Sequence, residues 1–261
     1  MTLDASLALA PASEGQWRAH GDTNYEAGTG MFGGWTAALL LKAVLSDARA
    51  QGEPVTLNVN YVSRVDPKGA LSVRARPIGG SRSVQTWQVE LRNDGEEGVA
   101  TLATVIMAQR RESVGFTERK APPAPEPETL PMFHPPAPFG QRTDVRTVHG
   151  YPPFNLPDTR ALQWAREVSG APLDHVRLAY LADVYPPRIL PIGNTWKPSS
   201  TLTLAVYFYA TREEMAACAD GYVLSEVTGT RATSSTCGSW LNMWSRTGAL
   251  LATSEQMCWF R

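Results

Sequence analysis

Residues 31–65 read MFGGWTAALLLKAVLSDARAQGEPVTLNVNYVSRV, and two periods meet inside them. After Gly33-Gly34, the apolar Leu40, Leu41, Val44, Leu45 and Ala48 recur at steps of three and four residues, which predicts a helix over residues 35–50. Beyond it Leu57, Val59 and Tyr61 alternate with polar neighbours, the period of a strand over residues 55–65.

Three further strand-like runs follow at residues 71–77, 84–92 and 98–109. The first carries Val73, the second sets Val84, Thr86 and Gln88 on one face, and the third is rich in Val and Thr. Gly79-Gly80 and Asn93-Asp94-Gly95 supply turn chemistry between them, and a polar extended piece at residues 16–23 precedes the helix. The composition then changes. Eight prolines at 122, 123, 125, 127, 131, 135, 136 and 138 exclude a helix or a central strand, so residues 110–141 read as an extended linker crossing a surface.

After the linker the same order of elements returns. An extended run at residues 142–149 leads to a predicted helical region over residues 161–181, interrupted at Pro172 and ended before Pro186-Pro187. Four strand runs follow at residues 201–209, 222–228, 232–244 and 250–260. One extended piece, one helix and four antiparallel strands, twice over, is an α+β pattern in which a sheet wraps a helix. The chain therefore divides into an N-terminal repeat (residues 1–109), the linker (110–141) and a C-terminal repeat (142–261).

The totals narrow the function. The chain has 261 residues, 43% apolar and 19% charged, with a formal net charge of -1. That composition is globular, and no basic excess is present to neutralise phosphates, which excludes a nucleic-acid partner. The N-terminus carries no basic region followed by a long apolar one, and the apolar run at residues 37–41 is too short to span a bilayer and leads into Lys42. Cys218, Cys237 and Cys258 are odd in number and fit free thiols in a reducing compartment. A cytoplasmic protein with no membrane partner is expected.

Several motifs are set aside. Gly28-Thr-Gly-Met-Phe-Gly33 matches G-x-G-x-x-G, but it follows a polar stretch and no βαβ unit surrounds it. The chain holds no G-x-S-x-G elbow. His20, His134, His149 and His175 are scattered, with no H-E-x-x-H or Cys-x-x-Cys spacing, so neither a metal nor a cofactor is expected. Trp240, Trp244 and Trp259 sit in strand runs as core or interface residues, one of which could line an apolar pocket.

Three segments of the first flank, MFGGWTAAL (31–39), TLNVNYV (56–62) and GSRS (80–83), resemble the first hot-dog of the acyl-CoA thioesterase II-like family. LADVYPP (181–187), STLTL (200–204) and LATSEQM (251–257) resemble its second. The resemblance covers nearly the whole chain outside the linker. It implies a tandem double hot-dog, in which each repeat is a curved antiparallel sheet around a central helix and the two repeats stand in for a homodimer. It also implies a hydrolase of acyl-CoA, or acyl-carrier, thioesters in fatty acid metabolism. The family's carboxylate, hydroxyl and amide carry over to Asp183, Thr201 and Gln256 in the C-terminal repeat. Two positions depart from common family residues: Thr203 stands where an acid is frequent, and Val184 where some members have His.

Thioester hydrolysis requires an attacking water, a base to orient and deprotonate it, and donors for the developing oxyanion. Asp183 is the only acid between Asp174 and Glu213 and sits in LAYLADVY (178–185), where apolar surroundings would raise its pKa toward the range of a general base. Thr201 and Gln256 would hold the same water from neighbouring strands. Alternatively, Asp183 caps a helix or pairs with Arg188, and the other two are ordinary strand residues. Gly33-Gly34 opens a helix whose amides could receive the thioester carbonyl, or merely allows close packing. Two other functions stay open: an acyl-CoA hydratase or dehydratase, which would need a His beside the acid, and a non-catalytic acyl-CoA or lipid-binding protein. Long strands rich in Val, Thr and Trp predict a further homodimer of double hot-dogs.

Overall fold

In the computed structural model, which describes residues 2–28 and 30–261, the chain opens with a one-turn helix α1 (Leu3–Ser6) and the hairpin β1 (Ala10–Ser13)–β2 (Gln16–His20). Met1 and Thr29, the latter inside the Gly28–Gly33 stretch set aside above, lie outside the described residues. Short strands β3 (Glu26–Ala27) and β4 (Gly30–Met31) lead to helix α2 (Gly33–Leu45). Four long strands follow: β5 (Glu53–Tyr61), β6 (Ala70–Gly80), β7 (Val84–Asn93) and β8 (Thr101–Ala108). The second half repeats the plan with β9 (Met132–Phe133), β10 (Thr143–His149), β11 (Ala161–Glu167), α3 (His175–Leu181) and β12 (Ser199–Phe208). It ends with the small helix α4 (Arg212–Ala216), β13 (Val223–Thr233), β14 (Thr236–Trp244) and β15 (Leu250–Phe260).

Among the described residues thirteen strands form one antiparallel sheet in the order β1-β2-β6-β7-β8-β5-β12-β15-β14-β13-β11-β10-β9. The order is nearly palindromic: the first long strand after each helix, β5 or β12, lies innermost. These two pair antiparallel through Thr56↔Tyr207, Val206↔Leu57 and Asn60↔Thr203, so the two sheets are continuous across the seam. The architecture is the double hot-dog that the sequence predicts. Helix α2 is apolar on nearly all sides, with Trp35 and residues 37–41 buried, because the sheet encloses it and α3 packs against it. Trp87, Val89 and Leu91 of β7 and Ala103, Val105 and Met107 of β8 supply the inner face of that enclosure.

Two predicted elements are corrected. Residues 161–167 form strand β11 rather than helix, paired with β10 and β13, and only residues 175–181 are helical. ALQWARE is built of good helix formers, but this strand is covered on both faces, which overrides propensity and removes alternation. Ala161 and Ala165 face the main core, while Leu162 and Trp164 join Tyr222 and Leu224 beneath the proline-rich segment. The run predicted at residues 232–244 is broken by a hairpin turn at Ser234-Ser235, both at positive φ (48° and 64°), the conformation of a tight primed turn without glycine.

The proline-rich segment lies along the outer face of the C-terminal sheet. Trp164 Nε1 donates to Pro125 O at 2.9 Å and Trp244 Nε1 to Arg119 O at 3.4 Å, while Ala121, Ala124 and Leu130 cover the apolar outer cluster. Arg246 holds the same segment by ion pairs to Glu126 at 2.7 Å and to Glu128, and it also pairs with Asp220.

Candidate active site

Helix α3 begins under its own cap, Asp174, whose carboxylate accepts from the Arg177 amide at 2.7 Å, and it ends before Pro186-Pro187. Asp183 sits two residues beyond its last turn and is 8% exposed. Facing it is the start of α2, which has no side-chain cap because its N-cap is Phe32. Gly33 and Gly34 let the two helix ends meet. A β-carbon on Gly34 would lie 2.3 Å from the Tyr180 carbonyl oxygen, and one on Gly33 would lie 2.5 Å from Asp183 Oδ2. The Asp183 carboxylate thus lies against the N-terminus of α2, where the Gly34 backbone favours its charged form.

Burial pushes the Asp183 carboxyl up to about 7, against the Gly34 amide and the Gln256 side chain, which both favour the charged form. Gln256 reaches it from β15: its Nε2 donates to Asp183 Oδ1 and, at 3.0 Å, to Thr201 Oγ1 on β12. The strand geometry behind this depends on one irregularity. In the β12–β15 register Thr201 lies opposite Cys258 and Leu204 opposite Gln256, with a bulge between Thr201 and Thr203. Three residues apart, Thr201 and Leu204 would face opposite sides of a regular strand. The bulge turns both inward and brings the hydroxyl beside the amide.

The structure thus brings Asp183, Thr201 and Gln256 together at the N-terminus of α2, in direct contact rather than spaced around a water. Asp183 does not pair with Arg188, whose guanidinium donates to the carbonyls of Pro186 and Thr159. Two residues that the sequence reading did not single out as site residues join them. Tyr61, at the end of β5, donates its hydroxyl proton to Gly33 O at 2.8 Å. Burial and then the nearby Asp183 raise its phenol well above the ordinary value. Cys258 faces Thr201 across the strand pair, and burial followed by Asp183 pushes its thiol up to about 12, so it stays protonated and is a poor nucleophile. The inward phase of Tyr61 was legible in the Leu57–Val59–Tyr61 alternation. Its approach to Gly33 depends on how α2 lies in the sheet.

Residues 22–108 match the acyl-CoA thioesterase N-terminal domain, and residues 118–260 match the acyl-CoA thioesterase C-terminal domain. The chain belongs to the acyl-CoA thioesterase family. A conserved protein of unknown function with a hot dog fold from Alicyclobacillus acidocaldarius is 32% identical over 99% of this chain and 97% of that one, with a TM-score of 0.93. A tesB protein of Mycobacterium avium subs paratuberculosis is 19% identical over 99% and 98% of the two chains, with a TM-score of 0.81. An acyl-CoA thioesterase II of Mycobacterium marinum is 17% identical over 99% and 98%, with a TM-score of 0.77, and these last two likenesses concern the fold. None of the curated protein sequences matches. In this acyl-CoA thioesterase family member, Gly33, Gly34 and Tyr61 fall in the N-terminal match and Asp183, Thr201 and Gln256 in the C-terminal one. The cluster therefore straddles the seam between the family's two domains.

Proposed function

We propose that the chain hydrolyses an acyl-CoA thioester, with Asp183 as the general base that activates water. The observation that carries this reading is the buried Asp183 carboxyl, pushed up to about 7 yet touching Gln256 and the N-terminus of α2. A carboxylate with that pKa accepts a proton readily near neutral pH. Gln256 holds Asp183 and Thr201 in fixed relation without adding charge. The water oxygen attacks the thioester carbon while its proton passes to Asp183. The negative charge then gathering on the carbonyl oxygen is stabilised by the positive end of the α2 dipole, which opens at Gly33. When the C–S bond breaks, the thiolate takes up a proton and the acid is released. The division into repeats at residues 1–109 and 142–261, joined by residues 110–141, belongs to the same reading, since the two halves place the base and the helix end against each other.

A hydratase dyad finds no support in this geometry. Asp183 is held by Gln256, and the histidine of α3, His175, is its first residue and packs edge-on against Phe208. The test is thiol release from a panel of acyl-CoA chain lengths, with D183A as the control. Turnover by the wild-type chain and a loss of about 10²-fold or more in D183A is expected. Tight binding of acyl-CoA without thiol release would replace the hydrolase reading with the binding-protein one.

A further inference from the structure

Beside the Cys258 thiol, which stays protonated, one further polar group at the site takes no part in the hydrolysis proposed above. Tyr61 comes from the N-terminal repeat, its hydroxyl is committed as a donor to Gly33 O, and its ring packs against the main core. The β-carbon position of Gly33 is 3.3 Å from the Tyr61 hydroxyl and 2.5 Å from Asp183 Oδ2. The two oxygens therefore lie within about 6 Å of each other, the span that one bridging water covers. They flank the side of Gly33 on which any other residue would carry a side chain.

We propose that Tyr61 is a further catalytic residue of this site, holding the attacking water by accepting one of its hydrogen bonds. The direction follows from the count of protons. A phenol has one, and here it points at Gly33 O, so toward a water the Tyr61 oxygen acts as an acceptor. The water then donates one hydrogen to Asp183 Oδ2 and the other to Tyr61, and a lone pair is left facing the thioester. As that lone pair forms the new C–O bond, the first proton moves to Asp183. The second stays on the incoming oxygen, the C–S bond breaks, and the thiolate leaves and is protonated, giving one carboxylic acid and one thiol. Tyr61 gains and loses no proton. Burial and the neighbouring carboxylate keep it a neutral phenol, so it can hold the water across the working pH range.

This inference rests on the hydrolase reading, and Y61F separates the two. The variant keeps the ring and removes only the oxygen. A fall in kcat of about 10-fold or more is expected, with KM within about twofold and the midpoint of the pH–rate profile at the wild-type value. If Tyr61 served only to tether α2 through Gly33 O, its loss would move the α2 start away from Asp183, and the pH midpoint would move upward. A displaced midpoint, or an unchanged kcat beside an inactive D183N, overturns the water-holding role and leaves the hydrolase standing. A wild-type chain that releases no thiol from any acyl-CoA overturns both. Should Y61F fail to fold, a fluorotyrosine at position 61 keeps the bond to Gly33 and weakens the oxygen as an acceptor. It should lower kcat in the same direction, and no change refutes the role.

Discussion

Replacing Asp183 with Asn should remove activity and, above neutral pH, stabilise the protein. The carboxyl is 8% exposed and is pushed from its ordinary 3.8 up to about 7 by burial. In the unfolded chain it ionises near 3.8, whereas in the folded chain it holds its proton until about 7. A raised folded pKa means that the stability it allows is fully present below 3.8, declines as pH rises, and is lost above 7. The whole span is worth about 4 kcal/mol, of which about 2.5 kcal/mol falls between pH 5 and pH 8. Asn does not titrate, so the variant escapes this decline. It also replaces one acceptor oxygen with an NH2 donor beside the Gln256 amide and the positive end of α2, at a cost of about 1–3 kcal/mol. The two effects nearly cancel at pH 5, and the variant should be the more stable by about 1–3 kcal/mol at pH 8. Urea unfolding of both proteins at pH 5, 6, 7 and 8 measures the gap. Parallel curves, or a gap that closes as pH rises, would refute the raised pKa and with it the reason for choosing Asp183 as base.

Three other outcomes follow from the same geometry. In the wild type kcat/KM should rise through a midpoint near pH 7 and level off, since the base works as a carboxylate, and a profile falling through that range would contradict the assignment. Q256A should shift that midpoint upward, because Gln256 favours the charged form of Asp183, whereas T201A should lower the rate with the midpoint unmoved; pH–rate profiles of both variants decide. G33A and G34A should differ in kind. The Gly33 β-carbon meets the movable end of Asp183, so G33A should lose turnover while its melting temperature stays near the wild-type value. The Gly34 β-carbon meets the Tyr180 backbone, so G34A should be destabilised by about 1–3 kcal/mol in thermal unfolding.

The repeat was legible because its long strands and one helix are periodic, and because eight prolines separate the halves. Residues 161–167 carry a helical signal for a physical reason: a strand buried on both faces has no alternation to show, and Ala, Leu, Gln, Arg and Glu all favour helices. The Ser234-Ser235 turn was hidden because nothing in two serines announces positive φ. At the site, the residue types in Asp183, Thr201 and Gln256 were visible only through resemblance, since they lie far apart in sequence and a bulge sets their phase. Tyr61 stood in plain view as one member of an alternating strand. What the sequence could not show is that its hydroxyl ends beside Gly33 and the carboxylate of the other repeat.

The duplication also gives two matching helix ends different surroundings, which bears on why Asp183 is the proposed base. Helices α2 and α3 are each followed two residues on by an aspartate, Asp47 and Asp183, and both are 8% exposed. Their surroundings push them in opposite directions. Arg49, two residues after Asp47, takes both of its carboxylate oxygens, at 2.8 and 2.7 Å, and holds that carboxyl below its ordinary value. At the matching place after Asp183 stands Tyr185, whose hydroxyl turns away to Ser225 O at 2.9 Å and leaves Asp183 without a cation. The helix starts differ in the same sense. Helix α3 opens with His175 behind its own Asp174 cap, so its first amides are served locally, whereas α2 opens with two glycines, has no side-chain cap of its own and faces Asp183. A carboxylate neutralised by arginine stabilises a helix end but is a poor base. A buried one held by the Gln256 amide keeps a raised pKa, and under the proposed reading that difference in partners is why the base is Asp183 rather than Asp47.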